Sequence, residues 1–479
     1  MVQDNRGSLL RGNGRTSMRR LVAAGALVTT LAGASPALAE PPMTHPMPEP
    51  GASADAGMKP GMAMMPTPLD IEESREASGT AWQPDSTPMF MWHSMTHGWM
   101  LGLHTNSFVG YTKDRGPRGD DQILSINWIM GMARHPVGSG DITLRAMFSA
   151  EPATLPKDGY PLLLQTGESY QGEPLHDRQH PHDLFMELAA RYRHPLGRSV
   201  GLELYAAPVG EPAIGPAAFP HRFTAMVDPL APLGHHWFDS THITFGVVTA
   251  GVFTRRVKLE GSYFNGREPD EDRWDFDFRQ PDSVAGRLSV NPTRDVSGQV
   301  SYARLESPEE LEPDVSIQRA TASLAFNREL ADDGSDVAVL AAFGRNNPSS
   351  GSSTQAGLVE GTLMLADTHS VFARAEVLTK TGRDLVLPAD LADRTFTVAS
   401  VSAGYVYDFH QLGAIVPGLG VVGTLDVVGR DLRPFYDTRT PVGGIVFLRI
   451  RPPVMKMHGM HGMQHEPPSS VPMAPGHAM

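Results

Sequence analysis

The chain has 479 residues, a formal net charge of −13 and no cysteine. The charge excludes nucleic acid as a partner, since its phosphates would be repelled. The lack of thiols excludes a disulfide scaffold and any thiolate metal site.

Residues 1–39 read as a secretory signal. Arg15, Arg19 and Arg20 precede an apolar stretch from Leu21 to Gly33, and Ala37-Leu38-Ala39 supplies a small-x-small cleavage site, so the mature chain is expected to start at Glu40. Residues 40–98 are rich in Pro, Gly, Met and Ala without a sustained period, which predicts a disordered segment. Residues 452–479 return to that composition and carry the same expectation. Beyond the signal no run of about 20 apolar residues occurs, so any crossing of a membrane is expected through a closed barrel.

Between these ends, residues 99–451 repeat a period of two. Val257, Leu259, Gly261 and Tyr263 alternate with Arg256, Lys258, Glu260 and Ser262. The same alternation predicts sixteen strands, near 103–111, 122–133, 140–149, 183–193, 199–206, 241–253, 255–265, 283–291, 296–305, 317–327, 336–345, 354–366, 369–380, 396–409, 418–429 and 442–451. Connections after odd-numbered strands are mostly long (150–182, 207–240, 266–282), whereas those after even-numbered strands are short. Long loops on one rim and tight turns on the other are the habit of outer-membrane barrels. The fold class expected is therefore all-β: an antiparallel transmembrane β-barrel of about 16 strands with disordered Met/His-rich termini. An even strand count puts both termini on the short-turn, periplasmic rim. Arg256, Lys258, Glu260, Arg287, Arg374 and Glu376 are expected to face the lumen and to pair with one another.

Methionine is the outlier: 16 of 24 lie within 41–100 or 452–479. The tail offers Met455, Met457, His458, Met460, His461, Met463 and His465, and the approach to the barrel offers Met89, Met91, His93, Met95 and His97. Thioether sulfur suits Cu(I) and imidazole suits Cu(II), so copper is the cofactor expected there. A second group lies in the two longest loops, with His176, His180 and His182 in one and His235, His236, Asp239 and His242 in the other. If both loops share a rim they can meet at the barrel mouth as a zinc, copper or iron site; the alternative is that they brace the loops by hydrogen bonds. No G-x-S-x-G, H-E-x-x-H or phosphate-binding loop occurs.

Gly210-Glu-Pro-Ala-Ile-Gly215, Pro232-Leu-Gly-His-His-Trp-Phe-Asp-Ser-Thr-His242 and Gly266-Arg-Glu-Pro-Asp-Glu-Asp-Arg-Trp-Asp275 resemble a family of bacterial outer-membrane proteins encoded beside copper and heavy-metal efflux systems. The resemblance covers most of 160–330. It implies an outer-membrane location and a metal context, with periplasmic efflux components as partners. The Met/His ends alone are similar to those of the outer-membrane copper resistance protein B family. The expected function is copper tolerance through Met/His-rich periplasmic arms. Its rivals are a passive porin for small solutes and a metal-dependent enzyme built on the loop histidines.

Overall fold

The computed structural model describes residues 67–455. The signal sequence, residues 40–66 and the tail ligands Met457, His458, Met460, His461, Met463 and His465 lie outside the described residues.

The chain forms a first hairpin from β1 (Trp92–Thr96) and β2 (Trp99–Asp114), then β3 (Asp121–Val137) and β4 (Gly140–Phe148). A separate two-stranded sheet, β5 (Tyr160–Tyr170) and β6 (Glu173–Gln179), interrupts the series. Then come β7 (Phe185–Pro195), β8 (Gly201–Gly210), β9 (Thr244–Phe253), β10 (Val257–Phe264), β11 (Ser283–Thr293) and β12 (Val296–Leu305). The series ends with β13 (Ile317–Ala331), β14 (Ser335–Pro348), β15 (Thr354–Leu365), β16 (His369–Thr381), β17 (Thr395–Asp408), β18 (Val416–Val428) and β19 (Val442–Arg451). Strands β2 to β4 and β7 to β19 pair antiparallel in sequence order, and β19 closes on β2 with Gly443 opposite Asp114 and Ile450 opposite Ser107. The result is a closed ring of sixteen strands, each at the predicted place. The expectation omits β1, five residues long and without an apolar alternation, and the β5–β6 hairpin, where proline, glycine and charge obscure it.

Side-chain alternation decides which face is which. On β10, Val257, Leu259, Gly261 and Tyr263 are exposed, while Lys258, Glu260, Ser262 and Phe264 are buried. The pattern repeats around the ring, so Val248, Leu324, Val359 and Leu448 point outward. An apolar outer wall with a polar inner one is the reverse of a water-soluble domain and suits lipid. Aromatic rings gather at both edges of this wall. Trp99 lies against His135, and Tyr407 against Phe409, near the short turns. Exposed Tyr111, Tyr263 and Tyr302 lie toward the long loops. Such girdles mark the two interfaces of a bilayer. Among the described residues no helix is long and apolar enough to cross a membrane.

The lumen is filled from both rims. From the short-turn rim enters the segment 67–91, so the expectation of disorder over 40–98 fails from Thr67 onward. Its order comes from partners on the wall. Arg75 pairs with Asp85 across the segment and donates to the carbonyl of Arg255. Glu76 bridges Arg191 and Arg193. Arg145 donates to the carbonyls of Ala77, at 3.0 Å, and Gly79. Buried Trp82 lies beneath Arg75 and Lys258, with the charges 4.8 and 5.1 Å from its centroid. From the opposite rim the loop 211–243, almost wholly buried, folds inward. The two meet at Gly79, where φ is +53° and an added Cβ would lie 2.7 Å from Glu211 Cβ.

The wall charges pair as expected. Lys258 Nζ is 3.0 Å from Glu203, Arg287 Nε is 2.9 Å from Glu260, and Arg374 Nε is 3.0 Å from Glu360. Glu376 instead caps the inward loop, accepting from the amides of Leu233 and Gly234. Arg256 corrects the expectation: it is exposed in the turn between β9 and β10, one residue before the alternation begins. Unpaired charges would be untenable in so closed an interior.

Candidate metal centre

The two histidine-bearing loops leave the long-loop rim and turn into the barrel, where five imidazoles gather. His180 and His182 follow β6, where the chain turns into β7. His235 and His236 sit on the one-turn helix His235–Phe238, and His242 ends the turn Ser240–His242 just before β9. All five are buried. Ring centroids of neighbours lie 5.1 to 6.0 Å apart: His235 with His236 at 5.1 Å, His235 with His242 at 5.2 Å, His182 with His242 at 5.3 Å and His180 with His235 at 6.0 Å. His180, His235 and His236 each place one ligand atom within 4.8 Å of the others, and His236 does the same with Glu268 and Glu309.

What each ring nitrogen does is more telling than the distances. His182 Nδ1 is 2.9 Å from Glu151 Oε1, His235 Nδ1 is 2.8 Å from Asp239 Oδ1, and His242 Nδ1 is 2.7 Å from the carbonyl of Asp239. His180 Nδ1 lies 3.2 Å from both Glu168 Oε1 and the carbonyl of Pro181. One nitrogen of each ring is thereby tied down, as in metal sites where a carboxylate or carbonyl fixes the tautomer of a ligating histidine. The opposite nitrogens, Nε2 of His180, His182 and His242, are buried without a hydrogen-bond partner, and so are both nitrogens of His236. His236 Nδ1 lies 3.5 Å from Glu268 Oε1, too far for a good hydrogen bond. Leaving a polar atom so buried costs about 1–3 kcal/mol each, and a shared cation would recover that. Neutral imidazole with carboxylate suits Zn, Cu or Fe.

Electrostatics favours the neutral, ligating form at His180, His235 and His242. Burial holds His180 and His242 well below the ordinary histidine value, and it outweighs Asp239 at His235. Burial would lower His182 as well, but Glu151 prevails and raises it. Glu268 is lowered: burial opposes, and His236 overcomes it.

Three expectations need correcting. Asp239 is not offered to the centre, because its oxygens are taken by His235, Arg222 Nη1 at 2.6 Å and the amide of Phe219 at 2.9 Å. His176 stays apart and holds Asp177 and Arg118. The approach residues do not converge: His93, Met95 and His97 are exposed on the first hairpin, Met89 is half-buried, and only Met91 is fully buried. Met455, the one tail ligand described, is buried with its amide 2.7 Å from the carbonyl of Met89. Glu268 and Glu309, not among the ligands expected from the sequence, sit in acidic loops whose composition suggests only solvation.

No protein-family model and no curated protein matches the chain. Solved structures similar in fold include a loop-deletion mutant of OmpT, an outer membrane protein of Vibrio cholerae, at 8% identity over 74% of this chain and 99% of that one, with a TM-score of 0.43. An anion-selective porin from Comamonas acidovorans gives 8% identity, 74% and 99% coverage and a TM-score of 0.43. OmpF of Salmonella typhi in complex with daunomycin gives 8%, 75% and 100%, and 0.46. By its own strand pairing the chain is a closed sixteen-stranded antiparallel barrel, with a plugged lumen and an internal imidazole cluster.

Proposed function

We propose that the chain is a porin-type passage for small solutes in the bacterial outer membrane, with both described ends on the periplasmic side. In the state described here it is held shut by the plug 67–91 and by loops gathered on a divalent transition-metal ion. One observation carries the reading: loops that block the lumen converge on five imidazoles, and the buried Nε2 atoms of His180, His182, His236 and His242 have no partner. The metal would add a cross-link between loops already packed through Leu162, Leu164, Leu230, Leu233 and Trp237, with His180, His235 and His236 as its first ligands. The test is metal analysis of purified protein together with conductance in planar bilayers. One ion per chain, and a conductance that rises on chelation and falls on adding Zn(II), is the expected result. Conductance indifferent to both treatments refutes the gating role.

A second reading, copper tolerance through the Met/His ends, is favoured by an approach residue that meets a wall histidine: Met91 Sδ lies 2.9 Å from His104 Nε2. Copper titration of the full chain against a chain ending at Met455 tests it. Equal stoichiometry would remove the tail from the mechanism.

A further inference from the structure

Within residues 101–451, methionine occurs at only six positions: 130, 132, 147, 186, 226 and 364. The fold brings most of them to one patch of the inner wall. His104 on β2 stands opposite Met130 on β3, and Met130 stands opposite Met147 on β4. All three face the lumen, so a histidine and two thioethers form a row across three adjacent strands. The plug adds Met91, its sulfur 2.9 Å from His104 Nε2. The inward loop adds His221, whose Nε2 is 3.2 Å from Met147 Sδ. A cavity of about 60 Å³ lies beside them, lined by His104, Met130, His221 and Trp128 and, farther along, by the paired charges of Glu76 and Arg191 with Glu73 and Arg145.

We propose that this junction of wall, plug and loop is a binding site for a soft monovalent cation, Cu(I), with His104, His221, Met91 and Met147 as ligands and Met130 in reserve. A thioether is a poor hydrogen-bond acceptor, so two imidazole nitrogens each pointed at a methionine sulfur are weakly satisfied by those contacts. Nitrogen and sulfur ligands at roughly 2.0 and 2.3 Å from a tetrahedral ion stand roughly 3.5 Å apart, and the two pairs need open by only a few tenths of an ångström. Neutral sulfur with imidazole, and no carboxylate on either pair, selects Cu(I) over Zn(II) or Ca(II). Donors from three separate parts of the lumen filling would make the ion a clasp on the plug. This site is chemically distinct from the imidazole centre and does not depend on its occupancy.

The test is titration of the full chain with Cu(I) under a reductant, against a chromophoric chelator, with tryptophan fluorescence as a local reporter. The His221 ring lies 4.7 Å from Trp128, centroid to centroid. The first equivalent should quench a signal that Trp128→Phe abolishes. The near-isosteric double variant Met130→Leu with Met147→Leu should weaken that equivalent by about tenfold or more, a loss on the scale of a disrupted metal site, while Zn(II) uptake stays unchanged. A double variant that binds and quenches like the parent overturns the site. Independently of any variant, bound Cu(I) should protect Met91 and Met147 of the parent protein from peroxide oxidation, read by mass spectrometry. Equal oxidation with and without Cu(I) also overturns it.

Discussion

Replacing Glu76 by Gln removes one charge from the plug, and the structure sets the size of the effect. Glu76 is the carboxylate between Arg191 and Arg193, with Arg134 beside them. Burial alone would raise its carboxyl, but the guanidinium groups win and hold it at about 2 instead of 4.5. That difference corresponds to about 3 kcal/mol, which agrees with the ~3–5 kcal/mol expected when one partner of a buried ion pair is lost. After the change Arg193 keeps Asp141, while Arg191 keeps the hydroxyl of Thr143 at 3.3 Å. About 3 kcal/mol is roughly a 100-fold gain in the population with the plug undocked. The chain has no cysteine, so Ala81→Cys, buried in the plug, can report undocking as a rate of maleimide labelling. Glu76→Gln should raise that rate roughly 100-fold at neutral pH. The contribution of Glu76 is complete above about 4.5 and is lost as pH falls toward about 2. A labelling rate unchanged by Glu76→Gln would show that the arginine cluster does not hold the plug.

Other outcomes follow from the same geometry. At Gly167 φ is +117° and an added Cβ would lie 2.3 Å from the His236 ring, so Gly167→Ala should displace His236 and lower Zn(II) affinity, measured by chelator competition, with the barrel still folded. Burial pushes Glu211, beneath the plug tip, up to about 8. A carboxyl kept neutral inside but ionised when exposed favours the closed state at low pH and loses ground between about 4.5 and about 8. Conductance should therefore rise across that window, and Glu211→Gln should flatten the profile. Phe90 packs 5.8 Å from Phe223 under the Arg451 guanidinium, so Phe90→Ala should weaken plug docking by ~3–5 kcal/mol, visible as faster labelling at the same cysteine.

The barrel was readable in the chain because its code is local. A strand lined by lipid on one side and a polar lumen on the other repeats every two residues, as Val371, Ala373, Ala375 and Val377 do on β16. The plug was not readable, because its internal Arg75–Asp85 pair is only part of what holds it and the rest lies outside 67–91. Its partners Arg145, Arg191, Arg193 and Lys258 lie tens to nearly two hundred positions away. The histidine centre was half readable. Residue types and shared rim pointed to His180, His182, His235, His236 and His242, but the fate of each ring nitrogen depends on Glu151, Glu168 and Asp239, and the diversion of Asp239 depends on Arg222. The row of His104, Met130 and Met147 was hidden for a simpler reason. Buried methionine on a strand reads as filler until the register of three strands aligns it.

The joint between β19 and β2 joins residues more than three hundred positions apart, and it is continued past the rim by Phe90 opposite Val454 and by the Met455 amide on Met89. Pairings so remote in sequence form late. Zipping the cylinder shut is therefore coupled to anchoring the root of the plug: a chain whose first and last segments fail to find each other would yield an open, leaking sheet with its stopper loose, and one that succeeds completes both tasks in a single stroke.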